Sequence, residues 1–481
     1  PACDIGAFEL EGPVDTLTVD SVSDGGDTDQ GDGTCDDGNG NCTLRAAIEE
    51  SNALDGTQTV AFGIPGEGPH TIQPQSGLPA ITGTTIIDGY TQPGAAPNGY
   101  GLDQGINAVL TVELDGTNAG ENFVHGLLIN ATGSLVRGLA INRFSGNGIA
   151  IFGAGATGNL VQGNFLGTNV TGTLDRGNLT DGVQIRNGSG NIIGGTALWE
   201  RNLISGNEAR GVSIQGEGGQ DTTGNVVLGN LVGTDYTGTA PLPNIGAGIE
   251  IRNADGNIIG GVIDGAVNTI AFNGGNGVAV FSGVGNDMLG NSIFSNEGLG
   301  IDLIPDGVTL NDDGDSDSGP NRLQNFPTLV SATNIAEGTL IQGTLNSMSL
   351  TEFRVEYFSN GECDPSGYGE GESFLTAVTV ITGENGNAGF DIVPNVPPVT
   401  AGHFITATAT DPNGSTSEFS PCVRVVDSSS QHLVQGTVAL QGMLEPLTGA
   451  IIVVRASDGT VVDDSVSDPV DGNFEVRLNP G

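Results

Sequence analysis

The sequence predicts an all-β protein, a right-handed parallel β-helix with an N-terminal capping helix, followed by β-sandwich domains. Three observations predict it. "NIIGG" occurs at Asn191–Gly195 and again, 66 residues on, at Asn257–Gly261. Short runs with Val or Ile on alternate positions recur: "GVQIRN", "GVSIQG", "GIEIRN" and "GVAVFSG". Gly supplies 81 of 481 residues without the strict three-residue period of collagen, the composition of a chain that turns often.

The repeat carries the argument. Shifting residues 159–281 by 66 matches Asn159 with Asn225, Gly163 with Gly229, Gly167 with Gly233, Thr171 with Thr237, Ile185 with Ile251 and Asn202 with Asn268. Chance does not hold register over that length, so this is a repeat protein. Each 66-residue period holds two units, and units open at Asn159, Asn191, Asn225, Asn257 and Asn286. Each opens with Asn and an aliphatic run, makes a glycine-rich excursion, and in most units returns as an alternating strand. Such strands are too short to stand alone, but stacked coils bury a continuous aliphatic column. Asn at equivalent turns can stack as a hydrogen-bonded ladder. The predicted solenoid covers 57–305, about eight coils and about 40 Å at about 4.8 Å per coil.

The rest of the chain is read around that body. Residues 1–13 are an N-terminal strand. Residues 14–56 are an acidic loop, fastened by Cys35 and Cys42, and an amphipathic helix in "TLRAAIEESNA", with Thr43 as N-cap. Leu44, Ala47 and Ile48 fall on one helical face, with Arg45 and Glu49 on the other. A solenoid end is an aggregating edge unless covered, which is the expected task of this helix. Residues 306–325 read as an acidic linker. Residues 326–428 carry alternating strands at the spacing of an Ig-like β-sandwich, with Cys363 and Cys422 as a second disulfide. Residues 433–481 begin a partial second sandwich. Neither cysteine pair has zinc-site spacing, so two disulfides and an oxidising compartment are expected.

"CTLRAAIEESNA" resembles the CSLREA-type N-terminal motif of bacterial surface proteins. "IDGYTQPG", "NLVQGNFLGTNVTGT", "GGTALWERNLISGN" and "GIDLIPDGVTLNDDGDSDSGPNRLQNFP" resemble the right-handed β-helix repeats that follow it there, and "TATATDPNGSTSEFS" resembles the trailing sandwich of that family. "DIGAFEL" is similar to a motif usually found near the end of such regions, whereas here it stands first. Residues 433–481 resemble carboxypeptidase-regulatory-like or Cna-B-like modules. The resemblance implies an exported, cell-surface protein and assigns no activity.

Charge excludes whole classes of partner. The net charge is −44, and all 13 basic residues are Arg. That field repels nucleic acid and anionic lipid and attracts cations. The lack of Lys excludes Schiff-base chemistry and the lysine crosslink of some surface modules. No apolar run is long enough to span a membrane.

Cation sites are expected in two acidic segments. "DGGDTDQGDGTCDD" holds Asp24, Asp27, Asp29 and Asp32, with Asp36 and Asp37 beyond. In "NDDGDSDSGPN", Asp313, Asp315 and Asp317 have the DxDxD spacing that lets alternate carboxylates converge on a hard cation, calcium being the expected ion. The alternative at both is a solvated acidic loop.

Polysaccharide chemistry would need convergent groups on one face of the solenoid. Asp88, Glu113, Asp115, Asp175, Asp181, Asp235 and Glu250 are available, but Asp88 and Asp115 precede Gly, where a turn explains them. Arg186 and Arg252 occupy equivalent repeat positions, which argues for a structural ladder. His125 adjoins an apolar strand and reads as a satisfied turn or core residue. The main expectation is therefore a structural, non-enzymatic surface protein, part of a filament, stalk or layer. A carbohydrate-binding adhesin using the long solenoid face for glycans is the second reading, and a polysaccharide lyase or glycoside hydrolase the third. The expected partners are copies of the chain head-to-tail or tandem neighbours. Ile5, Ala7 and Phe8 would serve as a donor strand, and Cys3 as a covalent lock.

Overall fold

A computed structural model describes residues 15–101, 104–219, 222–303 and 307–428, together with the backbone of 432–437, 451–455, 461–466 and 473–478. Cys3, Ile5, Ala7 and Phe8 lie outside the described residues.

The repeat folds into a parallel β-helix of three sheets. The first has nine strands, from Asp15–Val19 to Asp287–Leu289; the second eight, from His70–Ile72 to Ser292–Phe294; the third seven, from Leu127–Ile129 to Ile301–Asp302. Pairing is parallel throughout, and equivalent residues stack from coil to coil. Along the first sheet Leu17, Val60, Ile87, Val136, Val161, Ile193, Val227, Ile259 and Met288 form one inward column, and every one is buried. Burying a Val or Ile side chain contributes about 1.5–3 kcal/mol, so the column is a main support of a body whose strands are mostly two to five residues long.

Three asparagine ladders run beside the aliphatic columns. The first contains the predicted Asn159, Asn191, Asn225, Asn257 and Asn286. In each step the backbone N–H and the side-chain amide of one Asn donate to the Oδ1 of the next, at 2.9–3.1 Å. The second joins Asn164, Asn202, Asn230, Asn268 and Asn291. The third joins Asn178, Asn207, Asn244, Asn273 and Asn296. All of these residues are buried. They satisfy backbone groups at the corners, where no sheet ladder does so.

The solenoid begins earlier than the period suggested. Asp15–Val19 pairs in parallel with Gln58–Phe62 and forms the outermost strand of the first sheet, because Leu17 and Val19 bury their side chains in the core. The helix α1, Leu44–Ala53, covers that end. The Thr43 side chain accepts the Ala46 N–H, and Leu44, Ala47 and Ile48 pack into the solenoid core. Glu50, on the same helix, is also buried; its carboxylate accepts the N–H groups of Gly31 and Gly33 and pins the acidic loop over the helix.

Residues 306–325 are more than a linker. Their last turn, Pro320–Leu323, folds back so that Asn321 accepts the Asn286 N–H and donates to the Asn286 carbonyl. Asn321 is thus the final rung of the first ladder, and burial of this turn against the last coil overrides the polar composition around it.

The following domain has seven strands, Thr328–Ile335, Gly338–Asn346, Glu352–Asn360, Ser373–Ile381, Asn387–Ile392, Phe404–Thr410 and Val423–Asp427. The two layers expected of a sandwich are joined into one nearly closed mixed sheet, because Thr328–Ile335 pairs in parallel with Val423–Asp427. Phe353, Tyr357, Ile405 and Ile341 fill its core. Beyond it, 432–437 pairs antiparallel with 473–478, and 451–455 with 461–466.

This barrel-like domain closes the second solenoid end. Phe358 and Phe419 enter the solenoid core, and Ile293 exchanges backbone hydrogen bonds with Gly371. Three buried glutamates accept amide N–H groups at the end of the solenoid: Glu356 from Gly290, Glu370 from Ser295 and Asn296, and Glu418 from Leu303, with Thr309 of the following segment donating to Glu418 as well.

Candidate functional site

Both cysteine pairs are disulfides, Cys35–Cys42 with Cα atoms 5.0 Å apart and Cys363–Cys422 with Cα atoms 6.0 Å apart. The first closes the acidic loop and the second ties the start of the last barrel strand to the loop after Asn360. Among the described residues no helix is long and apolar enough to cross a membrane.

The first acidic loop does not gather its carboxylates. Asp24 makes a salt bridge with Arg45 at 2.9 Å and accepts the Gln75 N–H. Asp27 accepts the Asp36 N–H, Asp32 accepts the Thr34 N–H, and Asp29 is exposed. The physical reason is local: a glycine-rich loop has many amide donors without sheet partners, and the nearest acceptors are its own aspartates.

The second segment does gather three, but not the expected three. Asp312, Asp315 and Asp317 each place a carboxylate oxygen within 4.8 Å of the others, and Asp313 is outside the group. Alternation holds only for extended chain. Here Gly314 and Asp315 both have positive φ, 73° and 56°, which curls the loop and brings Asp312 in. Asn325 fixes the curl: its Oδ1 accepts the Asp312 N–H, and its own N–H donates to Asp315. Burial, with Asp317 and Asp312 nearby, pushes the Asp315 carboxyl up to about 6, although Ser347 and Asn325 donate to it. Three hard oxygen donors this close together could hold a metal ion.

The third sheet carries the other concentration of chemistry, on its outer face. Before each strand a turn residue precedes Gly, giving the row Asn147, Asp181, Arg210, Ala247 and Asn276. The outward positions of the strands give two further rows. One is Ala150, Gln184, Ser213, Glu250, Ala279 and Asp302; the other is Phe152, Arg186, Gln215 and Arg252, with Phe281 next in line. Asp181, Ser213 and Glu250 are buried as a floor. Arg210 bridges the two carboxylates, 3.6 Å from Asp181 and 2.8 Å from Glu250, and Arg252 reaches Glu250 at 3.3 Å while lying 3.9 Å over the Phe281 ring. Arg186 pairs with Glu217 and lies 5.9 Å over Phe152. Burial, with Glu250 adding to it, raises the Asp181 carboxyl to about 6 against the pull of Arg210.

Arg186 and Arg252 do stand in one row, with Gln215 between them, but their partners are not equivalent: Arg186 takes Glu217 and Phe152, and Arg252 takes Glu250 and Phe281. The Asp181–Arg210–Glu250 cluster is not repeated: its counterparts one period away are Ala247, Asn276 and Gln184. Nothing local marks Arg210 in sequence, and the broken repeat is the one signal that could have found the cluster. Elsewhere the turn readings stand. Asp88 and Asp115 accept the N–H two residues on and pair with Arg137 and Arg143. His125 accepts the Asn147 N–H between the rings of Phe123 and Phe152, and burial lowers its pKa.

The described architecture defines a capped parallel β-helix protein with a trailing β domain. No protein-family model and no curated protein matches the chain. Among solved structures it is similar to tailspike protein 2 (TSP2, ORF211) from Escherichia coli O157:H7 bacteriophage CAB120, at 11% identity and a TM-score of 0.27, covering 91% of this chain. The chain spans 60% of that protein's length. A likeness this loose bears on no feature of the site.

Proposed function

We propose that this chain is a structural segment of an exported cell-surface protein, serving as a rigid rod within a filament, stalk or layer. The observation that carries the reading is that both solenoid ends are closed by elements of the same chain, α1 at one and the barrel-like domain at the other. A closed solenoid cannot grow coil on coil, so its neighbours, whether head-to-tail copies or tandem neighbours, are joined outside it. Two disulfides suit an oxidising, extracellular setting, and the net charge of −44 keeps the rods from associating side by side. The role requires no catalysis. Electron microscopy of the purified chain, with and without residues 1–13, tests the proposal. The expected result is head-to-tail strings of discrete rods that fall to single rods on deletion. Fibrils of uninterrupted solenoid would reject it, and single rods from the undeleted chain would reject the head-to-tail copies and leave tandem neighbours as the way the rods are joined.

A further inference from the structure

The outer face of the third sheet has a polarity that the rod role does not use. We infer that it is a binding site for a neutral, linear glycan laid along the solenoid axis, with one terminus in the cavity where the face meets the barrel-like domain. Four features of the face support this.

The first is its spacing. Equivalent side chains repeat at one coil, about 4.8 Å, a length close to that of a pyranose unit in an extended chain. Successive sugars therefore meet successive rungs. The rungs offer what sugar hydroxyls need, namely half-buried amides at Gln184 and Gln215 and the part-exposed carboxylate of Glu217, which is paired with Arg186. Because the cluster around Arg210 breaks the repeat, the rungs differ, and a ligand is held in one register instead of sliding.

The second is charge. The three arginines of the face are each matched to a carboxylate, Arg186 to Glu217 and Arg210 and Arg252 to Glu250. No cation is left to bind a uronate, and the net charge of −44 opposes a polyanion. A polar but internally neutralised surface suits an uncharged, hydroxyl-rich ligand.

The third is the pair of rings. Phe152 and Phe281 sit at the two ends of one row, with Arg186, Gln215 and Arg252 between them. Four coil steps place them roughly 19 Å apart. Both rings are half-buried, with Arg186 5.9 Å over Phe152 and Arg252 3.9 Å over Phe281, so the C–H face of a sugar would meet the part of each ring that the guanidinium leaves uncovered.

The fourth is the cavity. Asn276, in the coil of Phe281, donates to Asp302 of the next coil at 2.8 Å, and the two continue the face into a cavity of about 770 Å³. Asp364, Pro365 and Ser366 of the barrel-like domain form its other wall. Its lining is rich in acceptors, which suits a terminal sugar with its extra free hydroxyls.

Isothermal titration calorimetry with the full chain provides the test. The probes are hexasaccharides of cellulose, mannan, β-1,3-glucan, xylan and chitin, with hexagalacturonate as the charged counterpart. At least one neutral hexasaccharide is expected to bind, about tenfold or more weaker in Arg186→Ala and in Gln215→Ala, both with unchanged melting temperature. Binding of none of the neutral probes, preference for hexagalacturonate, or undiminished binding in both variants would overturn the inference. Loss of binding with intact head-to-tail strings would separate this site from the structural role.

Discussion

Asn296, the last asparagine of the third ladder, directs both its backbone N–H and its side-chain amide to Oε1 of Glu370, each at 3.1 Å. A ladder built within one domain thus terminates on a carboxylate of the next. The same carboxylate accepts the Ser295 N–H, so one glutamate takes the place of a missing coil.

Glu370→Ala is expected to destabilise the chain by roughly 2–4 kcal/mol, because it leaves two or more buried donors without an acceptor. Glu370→Gln keeps an acceptor oxygen and should cost about half as much. Urea denaturation followed by far-ultraviolet circular dichroism checks this. Equal stability of wild type and Glu370→Ala would mean that the junction contributes nothing.

The junction should also respond to pH, in a direction that can be worked out. Burial pushes the Glu418 carboxyl from its ordinary 4.5 up to about 7, and raises Glu356 and Glu370 as well. The folded state therefore holds protons more tightly than the unfolded state. Its stabilisation is complete below about 4.5 and is lost as pH rises through about 7. Thermal melts in EDTA should show a higher transition temperature at pH 5 than at pH 8. Glu418→Gln, which does not titrate, should flatten that slope; a slope unchanged by the substitution would assign the effect to other groups.

Much of this architecture is legible in sequence, and the exceptions share a cause. The first ladder is visible because Asn159, Asn191, Asn225, Asn257 and Asn286 open every unit. The third is harder to see, because steps such as Asn178 to Asn207 and Asn207 to Asn244 alternate in length with the excursions between them, although Asn178 to Asn244 keeps the 66-residue period. Asn321 is hidden because it sits in an acidic segment and takes its place only through tertiary folding, at a φ of 44°. The role of Glu356, Glu370 and Glu418 as caps is not legible locally, since the solenoid amides they accept from lie 66 or more residues away. Asp313 lies outside the cluster for a related reason: DxDxD spacing presumes extended chain, and Asp315 has a φ of 56°.

Ladder interiors should be less tolerant than their surfaces suggest. Asn225 accepts from the backbone and side chain of Asn191 and donates to Gly188 and Asn257. Asn225→Ala removes all four bonds and leaves buried donors on one side and acceptors on the other, a loss of at least about 3 kcal/mol. Hydrogen exchange should show the amide of Asn191 deprotected well beyond the level in wild type. A variant with wild-type stability and protection would demote the ladder to a passive filling of the turns.

The last prediction concerns the cluster of Asp312, Asp315 and Asp317. With Asp315 near 6, protons and a cation compete for the same oxygens, so calcium should bind well at pH 7.5 and poorly at pH 5. Bound calcium stabilises by mass action, by about 2.7 kcal/mol at a hundred times its dissociation constant. Differential scanning calorimetry at pH 7.5 should therefore show the transition falling on chelation and returning with calcium. Asp315→Asn removes the central charge while keeping an oxygen for Ser347 and Asn325, and should abolish the calcium response without unfolding the loop. Asp313→Asn should leave the response intact, because Asp313 stands outside the group. If both variants lose the response alike, the alternating DxDxD ligation is the better description; if wild type shows no response over a wide calcium range, the three aspartates are a solvated acidic turn.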